Sequence, residues 1–124
     1  MTNAIDVAVE TFYIEDQSKP EQDFYVFAYT ITITNEGDEA ATLLRRHWVI
    51  KDFNQKVLEV KGDGVVGEQP RLLPGEAFTY TSGTSLETDV GTMMGSYTLQ
   101  TDNGEEFDAS IPEFVLASPQ ATKH

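Results

Sequence analysis

The chain opens on alternation. Ile5, Val7 and Val9 interleave with Asp6, Ala8 and Glu10, the period of two that sends successive side chains to opposite faces of a strand. This predicts a half-buried strand ending near Phe12. After a polar connection from Glu15 to Asp23 with Pro20 inside it, Phe24 to Thr34 is dense in aromatic and β-branched residues, which favour extended backbone. Asn35-Glu36-Gly37-Asp38 reads as a turn because Asn and Gly tolerate positive φ, and the chain returns as a strand from Thr42 to Asp52. Strict alternation there places Leu44, Arg46, Trp48 and Ile50 on one face and Leu43, Arg45, His47, Val49 and Lys51 on the other. Asp52-Phe53-Asn54-Gln55 predicts a further turn, and Val57 to Lys61 a short strand.

Residues 62–76 carry four glycines and two prolines, which predicts a loop rather than a helix. Ala77 to Ser82, Thr92 to Thr101 and Glu106 to Phe114 read as strands. Between the last two, Asp102-Asn103-Gly104-Glu105 carries the Asn-Gly signal of a tight hairpin. About seven strands with frequent turns, no helical periodicity and no fixed-period repeat predict an all-β sandwich or barrel. From Ala117 onward, Ser118, Pro119, Gln120 and Thr122 offer little to bury. The expected layout is one domain over residues 1–116 and a flexible polar tail over 117–124.

The size of the chain, 124 residues, fits one domain with a real core. Having no cysteine, it can form neither a disulfide framework nor a thiolate metal site, and a reducing compartment is the natural expectation. The opening Met1-Thr2-Asn3-Ala4-Ile5-Asp6 shows no basic n-region or apolar h-region, and no apolar run approaches a membrane span. A cytoplasmic location is expected. A formal net charge of -13 disfavours nucleic acid and anionic lipid as partners, since both are bound mainly through Lys and Arg. The charge is uneven, however: of eight Lys and Arg residues, Arg45, Arg46, Lys51, Lys56, Lys61 and Arg71 fall in one stretch, which could still meet an anion locally.

Arg46-His47-Trp48, the loop Gly62-Asp63-Gly64-Val65-Val66-Gly67-Glu68-Gln69-Pro70, Leu73-Pro74-Gly75-Glu76, Tyr80-Thr81-Ser82-Gly83, Met94-Gly95-Ser96-Tyr97 and Ile111-Pro112 with Phe114 together resemble the ApaG family. The similarity spans nearly the whole chain. It departs from the family pattern at Phe53-Asn54-Gln55, where small residues with glycine are commoner. The resemblance implies an immunoglobulin/fibronectin type III-like β-sandwich. It also implies a link to cobalt and magnesium resistance, with a gene often beside one for diadenosine tetraphosphate hydrolysis. Similar domains in eukaryotic F-box proteins and in a polymerase-delta-interacting protein imply protein recognition.

Gly62, Gly64 and Gly67 match G-x-G-x-x-G, which in dinucleotide-binding folds lets backbone approach a pyrophosphate at a helix N-terminus. Here Pro70, Pro74 and Gly75 follow too closely for a helix to begin. A helix-free nest of N–H groups over Gly62, Asp63, Gly64, Val65, Val66 and Gly67 remains conceivable, with Arg45, Arg46, His47, Lys61 or Arg71 at hand. The blander reading is a tight loop closing the end of a sandwich, and Asp63 and Glu68 favour it by repelling phosphate. Trp48 reads as the core tryptophan. Arg46, on the same predicted face, needs a carboxylate or carbonyl partner if buried, and a solvated position at the sheet end is the ordinary expectation.

A Ser-His-Asp triad would have to recruit His47, which otherwise reads as a surface histidine, and Gly83-Thr84-Ser85-Leu86-Glu87 lacks the second glycine of a nucleophile elbow. Asp102, Glu105, Glu106 and Asp108 cluster near one hairpin but match no metal-loop spacing and read as a solvated turn. Tyr25, Phe27 and Tyr29 alternate with Phe24, Val26 and Ala28, so this strand is either covered on both faces or leaves aromatics as anchors for a partner. The function expected from these readings is a non-catalytic module, without metal or cofactor, that binds another protein. A pyrophosphate or nucleotide sensor built on the Gly62–Gly67 loop is the alternative. Self-association as a homodimer is also compatible with the chain.

Overall fold

The structure is a computed structural model and describes residues 4–119. Eight strands follow one another: β1 Ile5–Tyr13, β2 Tyr25–Asn35, β3 Ala41–Asp52, β4 Val57–Asp63, β5 Arg71–Leu72, β6 Ala77–Leu86, β7 Val90–Thr101 and β8 Glu106–Ala117. Two short 3-10 turns, Glu15–Gln17 and Pro20–Gln22, occupy the connection after β1. The strands form two antiparallel sheets, one ordered β1-β2-β6 and one ordered β4-β3-β7-β8, with β5 added to β3. Of the sandwich or barrel that the strand count allows, this is the sandwich, the immunoglobulin/fibronectin type III-like one that the resemblance implies.

The alternation in β2 explains its place at the centre of the smaller sheet. Phe27, Tyr29, Ile31 and Ile33 are buried, whereas Thr30 and Thr32 face outward and bond the hydroxyls of Thr81 and Thr79 across the β2–β6 pair. Both aromatics of the odd-numbered set that lie deepest in β2 therefore serve the core, while Phe24 stands before the strand and is 42% exposed. Trp48 lies between the sheets, edge-on to Tyr29, Tyr97 and Phe114 at centroid distances of 5.6, 6.3 and 5.9 Å. A second link joins the layers: the hydroxyls of Tyr80 in β6 and Tyr97 in β7 meet at 2.5 Å in the interior. Burial pushes both tyrosines up, Tyr80 to about 12 and Tyr97 further, since a phenolate would lose its water there.

Three sequence expectations are corrected. Strict alternation along the third strand fails at Leu44, where a β-bulge shifts the register between Leu43 and Arg45; one extra residue swaps the faces, so Leu43, not Leu44, joins Trp48 and Ile50 in the core. A second shift, between Met93 and Gly95 opposite Phe114 and Ile111, accommodates Pro112 and exchanges the buried parity of β8 from Ala109 and Ile111 to Leu116. Gly62 and Asp63 belong to β4 and residues 71 and 72 to β5, so the loop expected over 62–76 is shorter. The expected tail is also overrun. Ala117 ends β8, and Ser118 is fully buried with its N–H donated to Asp89 O; residues 120–124 of that tail lie outside the described residues.

The predicted turn at Asn35 has a specific mechanism. Asn35 is buried; its Nδ2 donates to Glu39 O and Leu72 O, and its Oδ1 accepts from Gly37 N. One side chain thus ties the β2–β3 turn to β5.

Candidate functional site

The residues singled out in the sequence divide between two sides of the larger sheet. Arg45 and His47 of β3 and Asp63 of β4 face outward, because Arg45 pairs with Asp63 and Thr98, and His47 with Lys61 and Ser96. Together with Asp108 these residues line a shallow hollow of about 460 Å³. Two of its basic side chains, Arg45 and His47, already have carboxylate partners. Arg45 Nη2 lies 2.7 Å from Glu106 Oε1, and His47 Nε2 lies 2.7 Å from Glu59 Oε2. The His47 hydrogen bond first, and then the charge of Lys61, hold the Glu59 carboxyl below its usual range. Thr98 Oγ1 donates to Asp108 Oδ1 at 2.8 Å. Acid matches base across this face, which is how an exposed charged sheet stays soluble without a strong field of one sign.

Arg46 points the other way, into the opening between the sheets. Its Nη1 donates to Asp63 O and Gly64 O at 3.0 and 2.9 Å, the carbonyl partnership that a part-buried arginine requires. The guanidinium lies over Gly62, where a Cβ would come within 2.8 Å of Nη2. The first glycine of the motif therefore makes room for Arg46.

The second glycine has a different task. Gly64 adopts φ 62, donates its N–H to Leu44 O at 2.7 Å, and would place a Cβ 2.2 Å from Glu68 O. Beyond it, Val65 and Glu68 exchange backbone hydrogen bonds of 2.8 Å each, closing a two-residue hairpin over Val66 and Gly67, whose φ values are 42 and 82. Positive φ at both central residues is the signature of a type I′ turn. Val65 is fully buried, and Gln69 Nε2 donates to Leu44 O at 2.9 Å. The bulge at Leu44 and the loop thus fit each other: the carbonyl freed at the bulge accepts two donors from the loop.

A second concavity had no signal in the sequence. β4 and β6 are free edges on the same open side of the sandwich, and a trough runs between them. One part, of about 510 Å³, is lined by Phe24, Ile50, Val57, Leu58, Leu86 and, at its end, Asp52, Lys56, Ser85 and Glu87. The adjoining part, of about 210 Å³, shares Ile50 and Leu58 and continues past Trp48, Val60 and Ser82 to Arg46. Lys56 Nζ lies 2.6 Å from Glu87 Oε2, which raises the lysine. Periodicity assigned Val57 and Leu58 to a strand but could not say that this strand would be an uncovered edge.

Ser85 sits within regular β6 rather than on an elbow, and His47 is on the outer face of the other sheet. Asp102 and Glu106 of the acidic hairpin are drawn to different arginines, Arg71 at 2.5 Å and Arg45. Among the described residues no group of three His, Asp or Glu is placed to hold a metal ion, and no helix is long and apolar enough to cross a membrane.

A family model described as the ApaG domain matches residues 15–101. Protein ApaG of Thiobacillus denitrificans is 58% identical over 94% of this chain and 91% of its own length, and Protein ApaG of Stenotrophomonas maltophilia is 56% identical over 94% and 92%. A crystal structure described as an ApaA protein from Bordetella pertussis superposes with a TM-score of 0.91 at 50% identity, covering 94% of this chain and 95% of that one. With the family model across most of the sandwich and relatives of this identity along nearly its full length, the chain belongs to the ApaG family.

Proposed function

We propose that this chain is a non-catalytic binding module that recognises another protein in the cytoplasm. One observation carries the reading: in the trough between β4 and β6, Phe24, Val57 and Leu58 remain 42%, 59% and 55% exposed. Contiguous apolar surface in a concavity with a few polar groups at its ends is the usual form of a recognition site. The occurrence of similar domains in F-box and polymerase-delta-interacting proteins points the same way. Cobalt and magnesium resistance is on this reading an indirect effect of the partner. The pyrophosphate alternative has less support, because Gly64 N–H, Val65 N–H and Arg46 Nη1 already have partners within the chain.

The test is site-specific photocrosslinking in cells with p-benzoylphenylalanine at Leu58, and at Thr32 on the opposite outer face as control. The expected result is a protein captured from Leu58 but not from Thr32, which binds the purified wild type and not Leu58→Asp. Equal binding of the identified protein by Leu58→Asp, or turnover of a nucleotide by the purified chain, overturns the proposal.

A further inference from the structure

We infer that the free edge of β6 takes up an extended segment of the partner by strand addition, antiparallel to β6, with alternate side chains of that segment entering the trough. The inference rests on the protein-binding reading above. Its first ground is the direction of the backbone groups. Asn35 N donates to Glu76 O, and Ile14 N to Val26 O. An antiparallel ladder alternates, so the registers turn the even-numbered residues of β2 toward β1 and the odd-numbered ones toward β6. Phe78, Tyr80, Ser82, Thr84 and Leu86 therefore bond β2, and the N–H and C=O groups of Ala77, Thr79, Thr81, Gly83 and Ser85 point out of the sheet.

The second ground is the lack of protection along that edge. Exposed edges are ordinarily blunted by charge, proline or a bulge. β1 carries Asp6 and Glu10, β4 carries Glu59, Lys61 and Asp63, and β8 carries Glu106, Asp108, Pro112 and Glu113. β6, Ala-Phe-Thr-Tyr-Thr-Ser-Gly-Thr-Ser-Leu, has no charged residue, no proline and no register shift against β2. β5 is two residues long and begins with Arg71, so among the edge strands of the described residues β6 alone is an open template.

The trough lies along the same stretch. It follows β6 from Ser82 to Leu86 and reaches Glu87 just beyond the strand, roughly 17 Å of extended chain at about 3.4 Å per residue. A strand laid against Thr81, Gly83 and Ser85 would send every second side chain inward between Leu86, Ile50 and Leu58. Main-chain bonds then give affinity and the trough gives selectivity.

Charge sets the ends. Asp52 and Glu87 stand at one end with Lys56, already bonded to Glu87. At the other stands Arg46, which is in no ion pair among the described residues and bonds only carbonyls. An antiparallel segment would thus begin with Lys or Arg, continue with alternating apolar residues and present Asp or Glu to Arg46. A second copy of this chain, itself at net charge -13, is opposed by like charge, so a different protein is the occupant.

The experiment selects random dodecapeptides displayed on phage against the full chain, then follows amide exchange by proton–nitrogen NMR with the selected peptide synthesised. Expected are peptides of basic, alternating apolar, then acidic pattern, slowed exchange at Thr81, Gly83 and Ser85, and binding about tenfold weaker for Ser85→Pro but not for Ser85→Ala, as for the loss of one main-chain bond. Proline at Ser85 removes an outward donor and leaves the β2 ladder intact; exchange in the wild type keeps the test valid even where that variant folds poorly. A peptide that binds while these amides stay unprotected overturns strand addition and leaves the protein-binding reading standing. Failure to select any peptide overturns the inference too, as does protection of the same amides by a concentration-dependent dimer without peptide.

Discussion

The glycine loop with its neighbouring basic residues and the trough between β4 and β6 show opposite relations between appearance and use. The loop carries everything that suggests a site: a G-x-G-x-x-G spacing, two adjacent arginines and a histidine. In the folded chain those groups face one another. Gly62 makes room for Arg46, Arg46 holds Asp63 O and Gly64 O, Gly64 N–H holds Leu44 O, and Arg45 and His47 each meet a glutamate. The trough carries no motif at all. Its residues are ordinary Phe, Val, Leu and Ile, yet Phe24, Val57 and Leu58 remain half open to solvent, and unpaired β6 backbone runs beside them. Polar groups with partners inside the chain have little left for a ligand, whereas exposed apolar surface gains free energy from any fitting cover.

Three substitutions or conditions test this contrast, beginning with the largest effect. Gly64→Ala is expected to lower stability by roughly 2 kcal/mol or more, since left-handed backbone alone costs an L-residue about 1–2 kcal/mol and the new Cβ would press on Glu68 O. Urea unfolding measures it; an unchanged midpoint would mean that the loop is not the structural clasp described.

The interior beneath both regions gives the second test. The folded pKa values of Tyr80 and Tyr97 are raised, so the folded state keeps protons that the unfolded state releases; the stability they contribute is present below about pH 10 and declines as pH rises toward about 12. Tyrosinate absorbance should therefore rise for this pair only together with loss of near-ultraviolet circular dichroism. Ionisation of all five tyrosines in a chain that remains folded would contradict the buried hydroxyl pair.

The smallest effect on stability belongs to the trough. Leu58→Asp should change unfolding free energy by no more than about 0.5 kcal/mol, as at an ordinary surface position, while removing partner binding. A large destabilisation would show that Leu58 is core and return the trough to the interior.

Strand alternation, turn residues and the clustering of aromatics were legible in the sequence because each depends on neighbours in the chain. β2 is the clearest case, from Phe27 to Ile33 inward and Thr30 and Thr32 outward. The bulge at Leu44 was not legible, since the extra residue is defined by the register of β7 opposite it and by loop donors reaching Leu44 O. Arg46 illustrates the same limit. Its face, shared with Trp48 and Ile50, and its need for a carbonyl or carboxylate if buried were legible, but which carbonyls came to it depended on residues seventeen and eighteen positions away.

The sequence by itself determined the all-β class, the turns, the central tryptophan, the acidic surface and the family, because composition and local spacing encode them. The tertiary structure alone decided which strands ended as edges, which apolar residues stayed uncovered and which charges found partners. Those outcomes follow from the order in which β4 and β6 were placed in their sheets, and pairing order is a property of long-range contacts that no local period records.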